Sequence, residues 1–113
     1  MELKDFDEAI KLLLKYDEIK NITIYDGKKI RFSNMDNEII DKLIKSIEST
    51  SDQIEFGMKI QELEIFSNNQ MMKIFKEDKR IIILKLLNVN TVNKSIKEII
   101  QNIFRLIEEK NTN

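Results

Sequence analysis

The sequence predicts an α+β fold, and three observations carry that prediction. Three segments repeat their apolar residues at helical spacing, and several others alternate with a period of two. One run, Ile81-Ile82-Ile83-Leu84-Lys85-Leu86-Leu87, is apolar almost throughout. The order is helix, strand, strand, helix, strand, strand, strand, helix within 113 residues, a length that suits one domain spanning 1–113. No proline, repeat or low-complexity linker interrupts it.

The first helix rests on Leu3, Phe6, Ile10, Leu13 and Leu14 at steps of three and four. Its acidic residues come early and Lys11 and Lys15 later, the order that complements a helix dipole. The period then changes. Ile22 and Ile24 alternate with Thr23 and Tyr25, and Ile30 and Phe32 with Lys29 and Arg31. Asp26-Gly27 lies between them and is strong hairpin chemistry, because glycine accepts positive φ. Strands over 20–26 and 28–33 follow.

Asn34, Asp36 and Asn37 supply a helix start. Ile39, Ile40, Leu43, Ile44 and Ile47 make a stripe of roughly 140° at about 100° per residue, predicting a helix over 36–49 that ends near Thr50. The next strand is expected over 58–66. Its alternation slips, with Met58 and Ile60 on one parity and Leu63 and Ile65 on the other. A β-bulge near Gln61-Glu62 would account for that, as would a strand partly apolar on both faces.

Asn68-Asn69 reads as a turn, and 70–76 as a strand with Met72 and Ile74 on one side and Met71 and Phe75 on the other. After a turn at Asp78-Lys79, the run 81–87 has the pattern of a strand covered on both faces, and so belongs in mid-sheet. Asn90 or Thr91 can cap the last helix. Its stripe is Val92, Ile96, Ile99, Ile100, Ile103, Phe104 and Ile107, and 108–113 reads as a fraying tail.

Composition removes several function classes. Hydrophobic residues make up 42% and charged residues 35%, the balance of a folded domain with a charged surface. Nineteen basic residues against 20 acidic give a net charge of -1, which offers no field to hold a nucleic-acid backbone. Without cysteine or histidine the chain lacks thiolate chemistry and the commonest general base and metal ligand. Gly27 and Gly57 are the only glycines, so there is no glycine-rich phosphate loop. No catalytic residue, cofactor or metal set is expected.

The remaining charged features have plainer readings. Asp5 with Asp7, and Glu62 with Glu64, read as solvated carboxylates; the second pair shares a strand face but lacks a third metal ligand. Lys28, Lys29 and Arg31 read as charges that guard a sheet edge, and Met71-Met72 as core filling. Arg31 and Arg80 fall by strand ends and Arg105 in a helix, which disfavours an arginine finger. The first ten residues are acidic and amphipathic rather than a signal peptide, and no apolar run approaches the ~18 residues of a membrane helix. A cytoplasmic protein without direct membrane insertion is the expectation.

Several segments together resemble the roadblock family, which includes the dynein light-chain roadblock proteins, Ragulator subunits and bacterial gliding-polarity regulators. They are the hairpin Ile22-Thr23-Ile24-Tyr25-Asp26-Gly27-Lys28-Lys29-Ile30, the polar-capped helix over 36–49, the three-strand run ending at 81–87, and Asn88-Val89-Asn90-Thr91 opening the last helix. The resemblance covers nearly the whole chain and lies in the order of elements. The chain departs from the family in using Ile and Lys where the middle helix is often rich in Ala, Leu and Gly, and in the short link from Asp17 to Ile19. A longin-like domain is the nearest alternative, but its usual order begins with strands.

The resemblance implies a five-stranded antiparallel sheet in the order 2-1-5-4-3 with helices on both faces. It also implies pairing of the 58–66 edge with a twofold mate, with the middle helices side by side. A homodimer, or a heterodimer with another roadblock protein, would then act as a non-enzymatic scaffold whose partner is often a small Ras-like GTPase. The sequence agrees on two points: the most apolar strand is the central one, and the second strand carries charges. On this reading the interface draws on Met35, Lys42, Ser46 and Ser49 beside the middle helix's main stripe. It also draws on Met58, Ile60, Glu62 and Glu64 of the edge strand. A small-molecule-sensing domain is the alternative from a different class.

Overall fold

A computed structural model describes residues 5–51, 60–67, 70–87 and 94–111. Their order is α1 (Phe6–Leu14), β1 (Ile19–Tyr25), β2 (Ile30–Ser33), α2 (Asn37–Ser51), β3 (Gln61–Ser67), β4 (Gln70–Glu77), β5 (Arg80–Leu87) and α3 (Lys94–Asn111). The strands form one antiparallel sheet in the order β2-β1-β5-β4-β3. The element order and the central place of the apolar strand are those expected from the sequence, and the sheet order is the one the resemblance implies.

Each sheet face carries its own core. Ile82, Leu84 and Leu86 of β5 join Ile22 and Ile24 of β1 and Met71 and Phe75 of β4 beneath α1 and α3. Ile81 and Ile83 point the other way, to Ile74 and to Ile40, Ile44 and Ile47 of α2. Because β5 alternates between two buried faces, its sequence shows no polar alternation. Met71 is buried and Met72 half-buried in these two layers, so both fill core. Among the described residues no helix is long and apolar enough to cross a membrane.

Local chemistry sets the element ends. Asp5 caps α1, accepting from the Asp7 N–H at 3.1 Å. Asp36 does the same for α2, from the Glu38 N–H at 2.9 Å. The first hairpin turn is wider than expected: β1 ends at Tyr25, β2 begins at Ile30, and a register shift falls at Ile24/Tyr25. Asp26 Oδ1 accepts from the N–H groups of Lys28 and Lys29 at 2.8 and 2.9 Å, which holds 26–29 as a loop and pulls Lys28 and Lys29 out of the strand. Gly27 has φ 99°, and a Cβ there would lie 3.2 Å from the Lys79 Cβ. In the β4–β5 turn Asp78 adopts φ 58°, a conformation aspartate tolerates better than most residues.

Of the two readings of the parity slip in β3, the structure shows the second: the strand runs from Gln61 with unbroken register to Ser67, without a bulge at Gln61-Glu62, and its apolar residues fall on both faces. Three expectations need correction. Leu14 and Ile39 are exposed rather than core, because each sits at the margin of its stripe. α3 continues to Asn111 instead of fraying from Glu108. Leu3, Met58, the Asn68-Asn69 turn, and Asn90, Thr91 and Val92 lie outside the described residues.

Candidate functional site

The sheet has two edges, and they are treated differently. On β2, Arg31 donates to Asp26 Oδ2 at 3.1 Å and lies 5.7 Å from the Phe6 ring centroid. Arg31 is therefore committed to its own domain and does not guard the edge as a free charge. Beyond β2, Asn34 continues the pairing, with its Oδ1 accepting from the Ile22 N–H at 2.7 Å.

Asp26 is buried and titrates abnormally. Burial alone would raise its pKa, but the N–H groups of Lys29 and Lys28 and the Arg31 guanidinium outweigh it, and the carboxyl is held below the ordinary value. A depressed folded-state pKa stabilises the fold above the unfolded value of about 3.9, and the contribution is lost as pH falls through the folded value. Asp26→Asn is expected to cost about 1–2 kcal/mol at pH 7. It should also flatten the loss of stability below about pH 4. Urea titrations at stepped pH check this, and an unchanged acid limb would refute it.

The β3 edge is the candidate site. Leu63 and Ile65, each 41% exposed, lie on the α2 face opposite Ile74 and Met72, and Phe66 projects from the other face at 66% exposure. On α2, the flank with Asp41 and Lys45 lines a cleft with Tyr25 and Ile30 of the hairpin. At about 100° per residue, Ile39 and Leu43 fall on the opposite flank, toward β4 and β3. Ile39 is 58% exposed, and Leu43 packs on the cluster that includes Ile74 and Met72. An apolar strip thus runs from the α2 flank to a strand edge that is unpaired among the described residues.

Glu62 and Glu64 lie on the other face of the edge strand from that strip. Lys73 of β4 sits between Met71 and Phe75 with its side chain only 7% exposed, and its Nζ lies 2.6 Å from Glu64 Oε1 and 3.5 Å from Glu62 Oε2. The Phe75 ring centroid is 5.9 Å from that ammonium. Glu62 Oε1 also meets Lys97 Nζ of α3 at 3.3 Å. The network ties the edge strand to β4 and α3. Sequence reasoning passed over Lys73, although the signal was present: parity sets it between Met71 and Phe75, on a face that is otherwise core.

The other interface candidates are scattered. Ile60 packs partly against the α1/α3 core and Met35 against the α2 core. Lys42 and Ser46 are exposed on α2, and Ser49 lies in its last turns. Ile39, not among the expected residues, supplies the helix's exposed apolar side chain.

Arg80 pairs with Glu77 at 3.1 Å and Arg105 donates to Asn102 Oδ1 at 3.0 Å. Among the described residues no group of three acidic side chains could hold a metal ion. What the open edge can do chemically is pair its backbone with another strand and bury its apolar side chains. Compared with known proteins, the sequence matches no family model and no curated protein.

Proposed function

We propose that the chain is a non-enzymatic scaffold that self-associates through β3 and the adjoining flank of α2. The observation that supports this is the β3 edge, unpaired among the described residues, with Leu63, Ile65 and Phe66 exposed on it and Ile39 beside it. A second copy suits this surface because the strand is self-complementary. Under twofold antiparallel pairing about Glu64, Leu63 of one copy meets Ile65 of the other, and Ile65 meets Leu63. Heterodimerisation with a chain of similar edge uses the same chemistry.

The expected result is a two-chain mass by sedimentation equilibrium at tens of micromolar, and a one-chain mass for Ile65→Lys. A one-chain mass for the unaltered protein throughout that range would sink the proposal. The resemblance to roadblock proteins extends the reading to a small Ras-like GTPase as partner. A rigid paired platform regulates such a partner only by binding one nucleotide state better than the other. Equal capture of both states in a pull-down would leave the scaffold and remove the regulation.

A small-molecule site is the second reading, and one observation favours it. The open cleft of about 280 Å³ between the hairpin and α2 is lined by Tyr25, Ile30 and Ile44 with Lys28, Lys29, Lys45 and Asp41 around it. That volume falls just below the range of ordinary ligand pockets. A ligand-dependent rise in melting temperature across a metabolite panel would support it.

A further inference from the structure

We infer that Lys73, a buried residue of β4, controls self-association through β3 by cancelling the charge of Glu62 and Glu64; this rests on the self-association reading above. In each copy two carboxylates, Glu62 and Glu64, are balanced by two ammonium groups, Lys73 and Lys97, at 2.6 to 3.5 Å. Glu62, Glu64 and Phe66 share the α1/α3 face of β3, opposite Phe75, Lys73 and Met71. Twofold antiparallel pairing brings this face of two identical strands together.

Every central register sets carboxylates near each other. Pairing about Glu64 places the two Glu64 residues directly opposite. Pairing about Leu63 places Glu62 opposite Glu64 twice. Pairing about Ile65 leaves the two Glu64 residues on a diagonal of about 7–8 Å. Like charges opposite one another destabilise a strand pair. Lys73 removes this obstacle from the neighbouring strand: its ammonium lies against both carboxylates, and its burial keeps it there. Association then joins two neutral clusters. Without Lys73 it joins two clusters that each carry one uncompensated negative charge.

Lys73→Met tests this, since methionine keeps an unbranched side chain over Phe75 and removes only the charge. The dimer dissociation constant, read by sedimentation, should rise tenfold or more, and part of that rise should vanish in high salt. Adding Glu62→Gln and Glu64→Gln to Lys73→Met should restore assembly, and Lys73→Arg should assemble like the unaltered chain. A Lys73→Met constant within twofold of the unaltered one overturns the inference and leaves the self-association reading standing. So does a triple variant that folds but stays as weak. A Lys73→Met chain that fails to fold while the triple variant folds also overturns it, because Lys73 would then serve only the fold. If the unaltered chain is monomeric throughout, the self-association reading fails first, and this inference with it.

Discussion

Replacing Glu62 and Glu64 together with glutamine is expected to lower the unfolding free energy by about 3 kcal/mol. It should appear as a lower urea midpoint with an unchanged slope. Lys73 Nζ would lose carboxylates at 2.6 and 3.5 Å while its side chain stays 7% exposed. An uncompensated charge in that position costs far more than a surface ion pair contributes. Glutamine's carbonyl still accepts a hydrogen bond, which holds the loss at the lower end of the range for broken buried pairs. Lys73→Met should cost only about 1 kcal/mol, because the two glutamates, 37% exposed, are left facing water. This asymmetry is the diagnostic. Equal small losses from both changes would mean that the network behaves as a surface salt bridge.

The same network shows where sequence reading succeeds and where it stops. The period of the apolar residues identified every described element, because a side chain's face follows from backbone geometry alone. It placed β5 in mid-sheet because only a doubly covered strand tolerates Ile81-Ile82-Ile83-Leu84. Partnerships across strands were harder to read. That Lys73 faces Glu64 depends on the β3–β4 register, and the slip in parity around Gln61 left that register open between two readings. Once Leu63 was fixed opposite Ile74, Glu64 fell opposite Lys73. The same holds for Asp26. Asp-Gly announced a turn, but two of the carboxylate's donors, the N–H groups of Lys28 and Lys29, come from a loop wider than the dipeptide implied, and the third, Arg31, reaches back from β2. On α2 the stripe was legible, yet the fate of its margins was not: nothing in the spacing separates Ile44, buried at one margin, from Ile39, exposed at the other.

The second large effect is expected at Phe75. Phe75→Ala should cost about 3–5 kcal/mol, because the ring lies in the middle of the α1/α3 layer and its removal leaves a cavity between fixed elements. β4 and β5 are paired along their whole length there, and α3 packs above with Ile99, Ile103 and Phe104 buried, so little can move inward. The ring also supports the Lys73 ammonium from 5.9 Å. Ile44→Ala, in the layer under α2, should cost less, about 2–3 kcal/mol. That layer is bounded by half-buried Leu43 and Met72 and opens toward exposed Leu63 and Ile65, so neighbours can shift into the space. Equilibrium urea unfolding of the two variants ranks the layers. A larger loss at Ile44 than at Phe75 would mean that the α2 face is already sealed in solution. Because β3 and the α2 flank are where a second copy would seal it, repeating the Ile44 measurement across protein concentration joins the two questions. A cost that grows as the chain becomes concentrated places Ile44 beneath the assembled surface, and a cost independent of concentration places it in the monomer alone.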